Sequence, residues 1–376
     1  MEGSKMVAPQ GLAGVVVDNT SISKVMPETN SLTYRGYAVQ ELCELYTFEH
    51  VAYLIVNGEL PNEEQFSQFT SLERGKRGLS EDLSKILSLL PAKAHPMDTL
   101  RTGISVMGCE DERVWDKTPS VNYDKFLIML ANIPVIIAYS YRYSKGLTPI
   151  SPRKDLNIAE NFFYMCFGVV PQSEVVKAFD VSLILYAEHS FNCSTFATRV
   201  ITSSESDMYS AICGGIGALK GPLHGGANEY VMHMLKEIGD PTKAEQWMLD
   251  ALATKKKVMG FGHRVYKSGD SRVPTMKKYA QIMAEATGQT HWMEISDILE
   301  RVMIDQKNIY PNLDFPAGPA YYMMGFEIEM FTPIFVMARI TGWAAHIMEQ
   351  TADNKLIRPL SNYTGYPQRS SLIQLR

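Results

Sequence analysis

From Tyr37 onward the chain is a succession of segments, each roughly 10 to 20 residues long, whose apolar residues return at helical spacing. Short breaks rich in proline or glycine separate them, as at Asn57, Gly58 and Pro61, at Pro91 and Pro96, and at Pro171. No strand–helix–strand alternation runs through the chain, and no repeat or low-complexity tract interrupts it. Such a pattern predicts a mostly α fold. Only the N-terminal part reads otherwise: residues 15–25 and 32–34 are β-branched and aromatic, and with Asp18 and Asn19 as a turn inside the first stretch they predict a small β-hairpin.

With 376 residues, 45% of them hydrophobic, the chain can bury a large core and has room for more than one domain. Its most apolar run, residues 126–141, is shorter than the ~20 residues that span a bilayer and contains Asn132 and Pro134. It predicts a buried core helix, and nothing calls for a membrane. The opening MEGSKMVAPQ has neither the apolar stretch of a signal peptide nor the arginine-rich pattern of a transit peptide. A net charge of −5 leaves no basic footprint for nucleic acid. The five cysteines, Cys43, Cys109, Cys166, Cys193 and Cys213, are scattered without CxxC spacing and read as reduced core thiols of a cytoplasmic protein.

Chemistry concentrates in three stretches. In GALKGPLHGGAN, His224 stands among glycines just before a run whose Val231, Met234, Leu235 and Ile238 repeat at helical spacing. A histidine at a helix N-terminus is disfavoured as imidazolium, which leaves a neutral hydrogen-bond donor. In VMGFGHRVYKSGDSRVPT, His263 lies in a glycine-broken loop near Arg264, Lys267 and Arg272; in PNLDFPAG, Asp314 is hemmed in by Leu313, Phe315 and Pro316. Each has a plainer reading as well: a helix-entry histidine, a solvated loop histidine, and a carboxylate capping a helix suggested by Pro319 to Met324. Two histidines and a carboxylate on three loops, with arginines between, are groups suited to enolising a carbonyl compound.

Other chemistries find less support. Gly215, Gly217 and Lys220 complete neither GxGxxG nor a phosphate-binding loop, and no HExxH or i, i+4 histidine pair offers a metal site. Arg339 falls in an apolar stripe with Val336, Ile340 and Trp343, in a helix that Thr332 would cap with Pro333 in first position. Its partner is either a bound anion or an internal carboxylate. His189 follows Leu185 and Tyr186 on an apolar helix face, where a histidine is more often core than ligand.

The segments GPLHGGANE, GFGHRVYK with the following Arg272, and PNLDFPAG resemble, in order and spacing, the three catalytic segments of citrate synthases. The likeness runs from Gly11 to about Arg369. Within the family it is nearest to 2-methylcitrate synthases, at GLAGVVVDNTSISKV, LTYRGY and NLDFPAGPAYY followed by FTPIFVMARITGWAAHIMEQ. The resemblance implies a two-domain helical fold, with a large domain from residues 1–224 and 325–376 and a small one from 225–324. It also implies a homodimer.

The resemblance further assigns roles. Asp314 would be the base, with His224 and His263 as its catalytic partners; His189, His263, Arg272, Arg339 and Arg358 would hold oxaloacetate, Arg358 from the neighbouring subunit. Coenzyme A would lie along Lys257, Val258, Met259, Gly260, Phe261, Gly262 and Lys267, where Lys267 stands in the place of an arginine in some relatives. The implied reaction condenses propionyl-CoA with oxaloacetate and water to 2-methylcitrate, with acetyl-CoA also accepted, and involves no metal and no separate cofactor. Two alternatives are a citrate synthase acting on acetyl-CoA and a helical acyl-CoA-binding protein without turnover. Because the likeness begins by Gly11, no regulatory NADH-binding domain is expected.

Overall fold

The computed structural model describes residues 9–266 and 268–369. After a 3₁₀ turn at Gln10–Leu12 come three strands, β1 (Ser23–Met26), β2 (Ser31–Tyr34) and β3 (Tyr37–Ala38). The helices of the first half are α1 (Val39–Leu45), α2 (Phe48–Asn57), α3 (Glu63–Gly75), α4 (Glu81–Ser88), α5 (Pro96–Glu110), α6 (Pro119–Ser144), α7 (Ile158–Phe167) and α8 (Ser173–Tyr186). Those of the second are α9 (Cys193–Ser203), α10 (Met208–Leu219), α11 (Ala227–Ile238), α12 (Pro241–Ala253), α13 (Val273–Thr287), α14 (His291–Lys307), α15 (Asp314–Met323) and α16 (Phe331–Ala352). The mostly α expectation holds.

Local chemistry sets many of the helix ends. Asn62 with Gln65, and Asn157 with Glu160, form reciprocal capping boxes on α3 and α7. Gly58, Gly168, Gly239 and Gly288 close α2, α7, α11 and α13 in left-handed conformations. Helix α6 runs on past the predicted core segment at both ends. Although it is long and apolar enough to cross a membrane, 78% of its apolar window is buried in the protein. Asn132 in α6 is satisfied by Ile128 O and Lys76 O at 2.9 Å each and by the Gly78 N–H.

Helix α16 is the axis of the fold. From Phe331 to Ile347 every residue is buried, which is the pattern of a helix surrounded by others. It packs against α2, α6, α8, α9 and α10. A second knot of the core, Phe162, Phe163, Phe179, Tyr321 and Phe326, ties α7 and α8 to α15.

Four details correct the sequence reading. The predicted hairpin is a three-stranded antiparallel sheet that starts later, at Ser23, which pairs with Tyr34. Val15, Val16 and Val17 are exposed and form no strand, so β-propensity without a face to bury did not suffice. Helix α16 starts at Phe331, not after a Thr332 cap: the Thr332 hydroxyl is drawn away to Glu229 on α11. Of the cysteines only Cys43 and Cys166 are buried, while Cys109 and Cys193 are exposed and Cys213 lies between.

Candidate active site

The three motifs meet because two of them are zipped together. Phe261 and Pro311 form an antiparallel bridge, Gly262 N donates to Tyr310 O at 2.8 Å, Asn312 N to Gly260 O at 2.9 Å, and Asn312 Nδ2 to Gly262 O at 3.0 Å. Gly260 holds φ +84°, and a Cβ there would lie 2.7 Å from Val231 Cγ2 and 2.9 Å from Phe315 Cδ2. Only glycine fits a position pressed at once by α11 and by the residue next to Asp314. The glycines after His224 serve a different need. Gly225 and Gly226 have ordinary backbone angles, but a Cβ on either would run into Leu219 or the Lys220 carbonyl.

His224 sits in the turn between α10 and α11, with its Nε2 3.3 Å from Ser194 N and 2.8 Å from Ser194 Oγ. A main-chain N–H can only donate, so Nε2 is the acceptor and the ring carries its hydrogen on Nδ1. Burial, and then the charges of Arg339 and Arg272, push its pKa down to about 3. The neutral ring expected from the sequence is therefore present, with enclosure and the two arginines as its causes.

His263 is set in the opposite sense. Its Nδ1 accepts from Val265 N at 3.0 Å and from Tyr266 N at 3.1 Å, which leaves Nε2–H as donor. Its ring lies 5.1 Å from that of His189 and 4.8 Å from that of Tyr266. His189 is buried, and burial with Arg272 and His263 nearby holds it well below the usual histidine range.

Asp314 is the first residue of α15, so the stretch read as a loop is a helix start in which Pro316 takes a first-turn position that needs no N–H. Its Oδ1 accepts a 2.7 Å hydrogen bond from the hydroxyl of Tyr186, a residue the sequence reading passed over. Burial lifts the Asp314 pKa to about 6, although the Tyr186 hydrogen bond and Arg272 act to lower it. The ring of Phe335 is the floor between these groups, 4.0 Å from the Tyr186 ring, 4.8 Å from the Arg339 guanidinium and 6.1 Å from the His224 ring.

Both arginines are buried. Arg272 is held by Asp270 through Nε at 2.9 Å and Nη2 at 2.7 Å, and the same carboxylate accepts from Leu313 N, beside Asp314, at 3.2 Å. Arg339 donates from Nε to Tyr186 O at 2.7 Å, and burial lowers its pKa to about 10. Its Nη1, like His189 Nε2, is buried without a hydrogen-bond partner among the described residues. As to the two readings left open for Arg339, no carboxylate among the described residues hydrogen-bonds it, although the charge of Glu188 acts on it through space. Buried nitrogens of this kind, left without partners among the described residues, fit an anion with several oxygens.

Arg358 lies apart. The chain beyond α16 is extended, and Arg358 is exposed, hydrogen-bonding the neighbouring Pro359 carbonyl at 3.3 Å. Lys267 falls outside the described residues. Of the remaining coenzyme A candidates, Val258 and Phe261 line a groove of about 260 Å³ together with Leu252, Lys255, Lys256, Met303, Lys307 and Ile309. Lys257 and Met259 are not among its walls. Lys255, Lys256 and Lys307, which the sequence reading did not single out, line the same groove, with the Lys256 ammonium paired to Glu237 at 2.9 Å.

Comparison with known proteins identifies relatives over nearly the whole chain. Residues 11–360 match the family model described as citrate synthase, C-terminal domain. A citrate synthase of Mycolicibacterium smegmatis is 57% identical over 96% of each chain. A 2-methylcitrate synthase of Mycobacterium tuberculosis is 55% identical over 96% of this chain and 91% of that one. Among solved structures, citrate synthase from Thermoplasma acidophilum in ternary complex with carboxymethyl coenzyme A and oxaloacetate superposes with a TM-score of 0.92, at 30% identity over 99% of both chains.

Proposed function

The chain belongs to the citrate synthase family, and from that premise we propose that its site condenses an acyl-coenzyme A with oxaloacetate and water, taking propionyl-CoA in preference to acetyl-CoA. It is an acyltransferase. The observation that carries the reading is the pairing of a carboxyl whose pKa is lifted to about 6 with a neutral imidazole, Asp314 with His224, beside two buried arginines.

Asp314 takes the α-proton of the acyl thioester while His224 Nδ1–H donates to the thioester oxygen, so an enol forms in place of a free enolate. His263 Nε2–H polarises the ketone of oxaloacetate and supplies its proton as the carbon–carbon bond closes. Arg272, Arg339 and His189 hold the dicarboxylate, with Arg358 reaching in from a second copy of the chain in a homodimer. Water then cleaves the thioester, releasing coenzyme A and the tricarboxylate. Residues 225–324 act as a small domain that closes on the remainder, keeping water off the thioester until condensation is complete. Coenzyme A lies along residues 257–262 and Lys267, its phosphates near the lysine-lined groove.

The nearest alternative is a citrate synthase with acetyl-CoA as proper substrate, which the 57% identical relative favours. Release of coenzyme A from each acyl-CoA, with saturating oxaloacetate, separates the two. A pocket discriminates by one methylene at ~10 to 200-fold, so kcat/KM with propionyl-CoA is expected to be higher by a factor in that range. An equal or higher value with acetyl-CoA would reverse the assignment. No coenzyme A release with either would reject the reaction.

A further inference from the structure

Three successive residues at the end of α8, Tyr186, Ala187 and Glu188, run along one face of α16. Arg339 Nε donates to Tyr186 O at 2.7 Å, Gly342 N to Ala187 O at 3.2 Å, and His346 Nε2 lies 2.9 Å from Glu188 Oε1. Positions 339, 342 and 346 are three and four apart, so they share a face, and the next residue of the turn is His189. The middle contact requires a bare backbone: a Cβ on Gly342 would come within 2.6 Å of Ala187 O and would also collide with the Glu188 carboxylate. Helix and turn are thus in fixed register.

The outer end of this register is made of buried charge that the proposed chemistry does not use. Glu188 and His346 are each fully buried. Behind His346, Arg199 on α9 places Nη1 3.0 Å from His346 Nδ1; a guanidinium only donates, so Nδ1 accepts and Nε2–H points at Glu188. Arg199 is itself fixed by Glu349 at 2.8 Å and Asp18 at 3.3 Å, and lies 4.7 Å over the ring of Phe191, in the same turn as His189. Glu188 Oε1 also accepts from Ser23 Oγ at 2.9 Å, and that hydroxyl takes a 2.9 Å hydrogen bond from Ser190 N. The Tyr34 hydroxyl lies 3.0 Å from Glu188 O. The N-terminal sheet and α16 therefore grip the turn from two sides.

We propose that His346, locked in one tautomer by Arg199 and bonded to Glu188, is a positioning residue for the dicarboxylate: it latches the turn carrying His189 to the helix carrying Arg339. Neither it nor Glu188 touches the ligand. The inference rests on the reading that His189 and Arg339 hold oxaloacetate. Without the latch Glu188 is left buried with one donor fewer, the turn shifts to satisfy it, and His189 and Arg339 cease to face one anion. The 257–262 segment proposed for coenzyme A lies outside this set of contacts, and the proposed base Asp314 meets it only through the Tyr186 hydroxyl.

The test uses the full chain with His346→Ala, His346→Gln and Ser23→Ala, titrating oxaloacetate in a calorimeter and measuring steady-state kinetics. Because hydrogen bonds to buried charged groups are strong, His346→Ala is expected to weaken oxaloacetate binding by at least ~10-fold, with KM for the acyl-CoA within about threefold. His346→Gln, whose amide N–H can still reach Glu188, should recover most of the affinity. Ser23→Ala should lose about threefold. A folded His346→Ala protein with wild-type oxaloacetate affinity overturns the latch, and so does His346→Gln binding as poorly as His346→Ala. Should His346→Ala not fold, unchanged affinity in Ser23→Ala overturns it instead. Failure of the wild type to bind oxaloacetate at all would sink the functional reading and not the latch alone.

Discussion

His224 and His263 look alike in the sequence, each an imidazole beside glycines, yet the fold fixes them by different means and with opposite faces. His263 is held by amides two and three residues further along its own loop, and donates from Nε2. His224 is held by Ser194, 30 residues earlier on α9, and donates from Nδ1. One orientation is a local property of GFGHRVY; the other exists only once α9 and α10 have packed. The two donors are thus set independently, as the proposed condensation with its two carbonyls would require.

The largest expected effect comes from removing the proposed base. Asp314→Asn keeps shape and loses the carboxylate, and kcat should fall by at least ~10²-fold with oxaloacetate affinity little changed. A variant retaining most of its turnover would leave the two histidines without a common purpose. A finer test exploits side-chain geometry, since the asparagine amide nitrogen falls near histidine Nδ1 and that of glutamine near Nε2. His224→Asn should therefore outperform His224→Gln by about tenfold or more in kcat, while at position 263 glutamine should outperform asparagine. The same preference at both sites would break the contrast.

Ser194→Ala takes away the hydroxyl at His224 but leaves the main-chain N–H, so a loss of about three- to tenfold in kcat is expected. Wild-type kinetics would show the amide alone to be sufficient. The smallest effect concerns pH. Because Asp314 acts as carboxylate and its pKa is about 6, kcat/KM for the acyl-CoA should rise with pH through that value. The Tyr186 hydrogen bond stabilises the ionised form, so Tyr186→Phe should move this limb to higher pH; a shift to lower pH would contradict the assignment. His224, neutral down to about pH 3, adds no limb in the working range.

What the sequence could disclose follows the same division. Helical periodicity, capping boxes and the glycine-broken loops are local, and they located His224, His263, Asp314 and most helices. Tyr186, Ser194 and Glu188 escaped because their roles are made by partners 128, 30 and 158 residues away, at Asp314, His224 and His346. In an isolated segment each looks like an ordinary core or capping residue. The hairpin was misplaced for a related reason: residues 15–17 have strand propensity, but burial begins only at Ile22 and the strand at Ser23. Arg339 shows the limit most clearly, since its apolar stripe signalled a partner and only the fold shows that the Tyr186 carbonyl takes its Nε while no carboxylate among the described residues hydrogen-bonds it.

Proton abstraction can be isolated from bond formation by following the α-hydrogens of propionyl-CoA in D₂O by NMR, with a non-condensing four-carbon 2-hydroxy dicarboxylate in place of oxaloacetate. The wild-type protein should wash deuterium into the α-carbon, and Asp314→Asn should slow that exchange by at least ~10²-fold. Exchange at the wild-type rate in Asp314→Asn would show that another group takes the proton, and would contradict the account at its centre.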